Sequence, residues 1–175
     1  MYQLQLQHNQ LLMKKITTSI FLVLFSVLAV QSAQAQFKAG VGLMYGSEVE
    51  QLGIRVDGVY TINEQFRGVA DFGYYFPEDV NGGDINYWEL NINGNYMFFS
   101  DPDQGLNAYA LAGLNFFNAS VEIDGFGSSS SNETGLNLGA GLEYNLDFAE
   151  LFAEAKFVIS DADQLNIGAG LRFPF

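Results

Sequence analysis

From Phe37 to Phe175 apolar and polar positions alternate with a period of two, the repeat of a β-strand. The i, i+3, i+4 spacing of an amphipathic helix is nowhere sustained. Eight segments carry an almost wholly apolar face: residues 37–45, 52–62, 66–76, 88–98, 106–116, 136–144, 149–157 and 165–175. The fifth is the least clean, because Tyr109 and Leu111 make its other face partly apolar. The opposite faces are polar and hold every charged residue within a strand: Lys38, Arg55, Asp57, Arg67, Asp71, Glu89, Glu143, Glu150, Glu154, Lys156 and Arg172.

Such a pattern suits two architectures of opposite polarity. In a soluble lipocalin-like barrel the apolar face lines an internal cavity. In an outer-membrane barrel it meets lipid, and the interior is polar. The aromatic residues separate the two. If the segments run up and down as an antiparallel meander, Phe37, Tyr60, Phe66, Tyr96, Phe98, Tyr144, Phe173 and Phe175 fall at the end nearer the termini. Tyr45, Tyr74, Phe76, Trp88, Phe116 and Phe157 fall at the other end. Two rings of interface-seeking aromatics bounding an aliphatic band mark a transmembrane barrel. The expected fold is therefore all-β, an eight-stranded antiparallel up-and-down transmembrane β-barrel.

The N-terminus supplies an export route. Lys14-Lys15, the apolar run Ile16 to Val30 and the small-x-small site Ala33-Gln34-Ala35 lay out a secretory signal peptide over residues 13–35, with cleavage after Ala35. Residues 1–12 read as an extended n-region or an upstream start codon taken in error. The mature domain is then 36–175.

Composition narrows the chemistry. The 175-residue chain has no cysteine, one histidine, 7 basic and 20 acidic residues. Disulfides, thiolate metal sites and thiol nucleophiles are excluded, and a net charge of -13 argues against nucleic acid. Loss of residues 1–35 removes Lys14, Lys15 and His8, leaving 5 bases, 20 acids and no histidine. Five bases face six acids in the lumen, a nearly neutral set that an eight-stranded barrel can enclose only if each charge is paired. The other acids fall in turns at the terminal end and in loops near residues 47–51, 77–84, 118–133 and 160–164, where no base lies. Solubility explains them; recruitment of divalent cations that bridge to lipopolysaccharide is the functional alternative.

The C-terminal stretch Leu165 to Phe175, apolar at every second position and ending in Phe, resembles the insertion signal of bacterial outer-membrane barrels, with Leu171, Phe173 and Phe175 as its apolar positions. Thr134 to Tyr144 and Ala108 to Leu114 are similar to late strands of small OmpA/OmpX-like barrels, the outer membrane protein β-barrel domain family of Gram-negative bacteria. The resemblance implies a monomer in the cell outer membrane whose partners are membrane lipid, lipopolysaccharide and, during insertion, the barrel-assembly machinery. It implies no cofactor. Pro174 departs from the pattern, because it lacks an N–H for the ladder where the last strand meets the first.

Other motifs carry little chemistry. Asp101-Pro-Asp103-Gln-Gly105 opens like a calcium loop but lacks the closing Glu, and the Gly-x-Gly pairs lie inside strands and not at a phosphate-binding turn. Gly125 to Ser131 reads as a flexible tip. Small barrels that act on lipid A depend on a histidine base, which the mature chain lacks. The sequence thus reads as a non-enzymatic integral barrel with a structural or surface-interaction role and a closed, salt-bridged lumen. A small-conductance porin, an apolar-ligand transporter and the soluble lipocalin-like barrel are the alternatives. On a heat-modifiability gel, membrane-extracted protein is expected to migrate compactly unheated and to shift on boiling; recovery as a soluble periplasmic chain would contradict the membrane assignment.

Overall fold

The computed structural model describes residues 36–80, 83–123 and 127–175. The leader and the start-codon question, residues 1–35, lie outside the described residues, as do positions 125 and 126 of the glycine-serine tip.

Strands β1 (Phe37–Gly46), β2 (Gln51–Thr61), β3 (Phe66–Tyr75), β4 (Glu78–Val80), β5 (Gly83–Asp101), β6 (Leu106–Ile123), β7 (Gly127–Asn145), β8 (Glu150–Ile159) and β9 (Gln164–Pro174) follow in chain order. All neighbours are antiparallel. Eight of them close a ring in up-and-down order, because β3 also pairs with β5 and β1 pairs with β9. The three-residue β4 adds only to the start of β5. The closing ladder runs from Lys38 opposite Pro174 to Gly46 opposite Asn166, so Pro174 ends the pairing without preventing it.

The alternation translates directly into two surfaces. Leu43, Val56 and Ile92 are half or more exposed on the outer face (60%, 50% and 54%), whereas Arg172, Asn91 and Tyr109 are fully buried inside (0%). Apolar out and polar in reverses the arrangement of a soluble barrel. Tyr109 and Leu111, the ambiguous residues of the fifth segment, point inward and pack with Met97 as a small apolar cluster.

Two features depart from the sequence reading. The fourth segment is read only to Phe98, and alternation continued one residue further would turn Phe99 toward the lumen; instead the register shifts between Met97 and Phe99, and Phe98 and Phe99 are both exposed, at 59% and 47%. A β-bulge absorbs one residue and re-aims the next. The second departure concerns residues 118–133, read as a loop. They are mostly strand, with β6 and β7 paired from Asn118 opposite Asn132 to Ile123 opposite Gly127. Their serines and asparagines suggest a loop by composition, but each further pair extends an existing ladder without closing a new one, which overrides weak local propensity. Residues 77–84 likewise contain β4 and the start of β5.

The turns at the terminal end are short and held by side chains. Asn63 Oδ1 accepts from the N–H groups of Gln65 and Phe66, and Asn145 Oδ1 from that of Asp147. Asp101 Oδ1 accepts from the N–H groups of Asp103 and Gln104, while Asp101 Oδ2 accepts from the Gln104 side chain. The carboxylate of the apparent calcium loop is thus used as a turn cap.

Inward glycines make room for bulky neighbours. A Cβ on Gly141 would lie 2.3 Å from the Tyr109 ring, while one on Gly68 would meet nothing within 4 Å. Gly141→Ala is therefore expected to destabilise the refolded barrel by about 1–3 kcal/mol through overpacking, and Gly68→Ala to leave its urea midpoint nearly unchanged. Unfolding from phospholipid vesicles, followed by Trp88 fluorescence, checks both.

Candidate functional site

The polar faces of the eight ring strands meet inside the barrel. All eleven charged residues of those faces join one network. Lys38 is paired with Glu150, and Glu150 lies 3.7 Å from Arg67, which contacts Glu143 at 2.5 Å. Glu143 binds Arg172 at 2.6 Å, and Arg172 binds Asp57 at 2.9 Å. Arg55 joins Asp57, Asp71 and Glu154 at 3.5, 3.4 and 2.6 Å. Lys156 then links Asp71 to Glu89, at 3.9 and 3.3 Å. The chain of contacts runs from the terminal end to the distal end without a break.

Charge of this density is tolerable only when its hydrogen-bonding capacity is met. Arg172 donates from Nε and Nη2 to Asp57 and from Nη1 to Glu143, so its guanidinium fork bridges β2, β7 and β9. The Phe152 ring lies under two guanidinium groups, 4.1 Å from that of Arg172 and 5.3 Å from that of Arg55. It supplies a cation–π surface to both.

Neutral side chains complete the upper part. Asn91 donates to Asp71 and Glu89, and Asn115 and Asn137 donate to Asn91. Asn166 donates to Glu89 and to the Tyr75 hydroxyl, which itself donates to Glu89. The Tyr109 hydroxyl donates to Glu154 at 2.7 Å. The charges alone did not point to Tyr75, Tyr109 or Phe152 as members of this site. The available signal was their phase, since each is an aromatic at an inward position of an otherwise polar face.

Cavities of about 170 Å³ lie at both ends of the filled region. Lys38, Asn145, Asp147 and Glu150 line the terminal one. Residues of the turn before β2 and the turn before β9 line the distal one, together with β5, β6 and β7. Among the described residues no group of three acidic or histidine side chains converges to hold a metal ion.

The aromatic positions lie on the outer wall. Phe37, Tyr45, Tyr60, Phe66, Phe76, Tyr96, Phe98, Phe116, Tyr144, Phe157, Phe173 and Phe175 are exposed. Tyr74 and Trp88 are half-buried: the Tyr74 hydroxyl donates to Asn86, and Trp88 stacks on Phe72 at 6.0 Å. Phe66 and Tyr96 touch across β3 and β5, with ring centroids 5.3 Å apart. Phe148, in the turn before β8, is the most exposed large apolar side chain described (68%) and belongs to neither ring as read from the sequence.

A closed eight-stranded ring, apolar outside and ionic inside, accords with the comparisons to known proteins. Residues 18–173 match the family described as "Outer membrane protein beta-barrel domain". The chain belongs to this family. Solved structures agree on the fold. The N-terminal β-barrel domain of Pseudomonas aeruginosa OprF superposes with a TM-score of 0.63 at 21% identity, covering 79% of this chain and 96% of that one. Neisserial surface protein A gives a TM-score of 0.66 at 20% identity, covering 83% and 100%. Ail, the attachment invasion locus protein of Yersinia pestis, gives 0.52 at 20% identity, covering 78% and 96%. A search of curated proteins returns no match. As a member of the outer membrane β-barrel family, the chain is not the soluble lipocalin-like barrel kept open by alternation alone.

The network predicts a graded response to charge removal. Arg172→Gln takes from Asp57 its nearest counter-charge and from Glu143 one of its two guanidinium partners, leaving Arg55 at 3.5 Å and Arg67 at 2.5 Å, at an expected cost of about 3–5 kcal/mol. Lys38→Gln, at the partly open terminal end, is expected to cost clearly less. Urea unfolding of the two variants in the same vesicles measures the difference.

Proposed function

We propose that this chain spans the outer membrane as a closed barrel with a structural or surface-interaction role, without catalysing a reaction or holding an open pore. The observation that carries this reading is the continuous ionic network, whose eleven side chains thread the lumen from Lys38 to Glu89. A solute would have to displace paired charges in a low-dielectric interior, which costs several kcal/mol per unpaired ion. Residues 36–175 contain no histidine, so no imidazole is present to act as a general base.

In this reading residues 13–35 direct export and are removed. The turns nearest the termini face the periplasm, and the longer β5–β7 hairpins face outward. The two aromatic sets sit at the two lipid–water interfaces. The barrel-assembly machinery recognises the last strand through Leu171, Phe173 and Phe175, and the mature protein is a monomer in contact with lipid and lipopolysaccharide. The exposed acids keep the outward surface soluble.

Single-channel recording tests closure. Wild-type protein in a planar bilayer is expected to show no stepwise conductance. Discrete openings in the wild type would contradict the closed-barrel reading, whereas openings found only in Arg55→Gln/Arg67→Gln would identify the network as the plug.

A further inference from the structure

The distal cavity has a chemical bias that the plug itself does not require. Hydrogen-bond direction can be followed to it from below. The Tyr75 hydroxyl donates to Glu89, so its oxygen can only accept from Gln164 Nε2 (3.1 Å), which leaves Gln164 Oε1 as the free end of that amide. Asn91 donates its Nδ2 to the Asp71 and Glu89 carboxylates, so its Oδ1 accepts from Asn115 Nδ2 (2.8 Å), and Asn115 Oδ1 is left over in the same way. Both side chains line the cavity and are more than nine-tenths buried (Gln164 5% and Asn115 2% exposed). Neither amide oxygen accepts a hydrogen bond among the described residues.

The rim repeats this bias. Glu48 and Glu133 line the cavity and have no ion pair among the described residues. All five bases of residues 36–175 are committed to the lumen network, so none reaches the mouth. The Ser160 hydroxyl, also in the lining, already donates to the Ala162 carbonyl. One wall is aromatic, with Tyr87 and Phe117 stacked at 5.8 Å and 24°.

Two free amide oxygens, two unpaired carboxylates and an aromatic wall ask for a cation that donates hydrogen bonds and carries an apolar body. A hard divalent ion favours several anionic oxygens, and among the described residues no three acidic or histidine side chains group to hold one, the cavity lining having two carboxylates. The volume, about 170 Å³, is below that of pockets for drug-sized ligands, which begin near 300 Å³. We propose that the distal cavity binds a small primary ammonium on a single aromatic ring, with its three N–H groups shared among the Asn115 and Gln164 amide oxygens and the Glu48 and Glu133 carboxylates and its ring against Tyr87 and Phe117.

Benzylammonium is the probe, titrated calorimetrically into the refolded full barrel in zwitterionic detergent. Saturable one-to-one binding is expected, weakened about tenfold or more in Glu48→Gln/Glu133→Gln by loss of charge-assisted contacts. The N-methylated analogue benzyltrimethylammonium, which cannot donate hydrogen bonds, and neutral benzyl alcohol are expected to bind at least about tenfold more weakly. No saturable binding of benzylammonium to the wild type, equal binding of benzyl alcohol, or displacement by low calcium chloride would each overturn the proposal. The ligand series on the wild type decides the matter even if the double variant refolds poorly, and a heat-modifiability gel reports whether it does.

Discussion

A chain that crosses hydrocarbon must satisfy every backbone N–H and C=O within itself, since no water is present to do it. For strands this means that no edge can remain inside the membrane. The rest of the molecule follows from that closure. β9 must reach β1, which it does from Pro174 to Asn166. An even number of ring strands lets successive neighbours stay antiparallel all the way round, and the short side-chain-capped turns bring each strand back beside the last. The bulge between Met97 and Phe99 is accommodated without breaking the β5–β6 ladder.

Closure also dictates the chemistry of the interior. A ring of eight strands leaves a lumen only wide enough for side chains. Long, bulky inward residues therefore compete for space with the opposite wall, and Gly40, Gly73 and Gly141 lie where a methyl group would strike Asp57, Met44 and Tyr109. Much of what fills the remaining space is ionic, with each charge held against an opposite one from a strand distant in sequence. Taken pair by pair the arrangement adds little raw stability, because ion pairs taken out of water recover little beyond their own desolvation cost.

Much of this was legible in the sequence for a simple physical reason. A period of two is written residue by residue, so strand positions, face polarity and the membership of the lumen can be read without knowing how strands pair. Register cannot be read that way. Which carboxylate meets which guanidinium depends on pairings such as Arg172 opposite Gly40 and Glu150, and these appear only in the assembled ring. The Phe98–Phe99 bulge interrupts alternation without any glycine or proline to announce it. Extension of β6 and β7 through Ser- and Asn-rich sequence was hidden for a related reason, since composition speaks to local preference while the ladder below supplied the pairing. Phe152, Tyr75 and Tyr109 were visible as exceptions on polar faces, yet their role depends on partners carried by other strands: Arg55 and Arg172 for Phe152, Glu89, Gln164 and Asn166 for Tyr75, and Glu154 for Tyr109.

One consequence of the Arg172 fork concerns assembly. Its partners Asp57 and Glu143, and nearby Glu154, come from β2, β7 and β8, while Arg172 itself is carried by the final strand. In the closed ring those carboxylates share one space, and the last strand brings the guanidinium that pairs with them. A slip of one residue would turn Arg172 toward lipid and leave those carboxylates without it. The seam register is therefore tied to charge balance: only the correct pairing of the last strand brings five bases against six acids inside the ring.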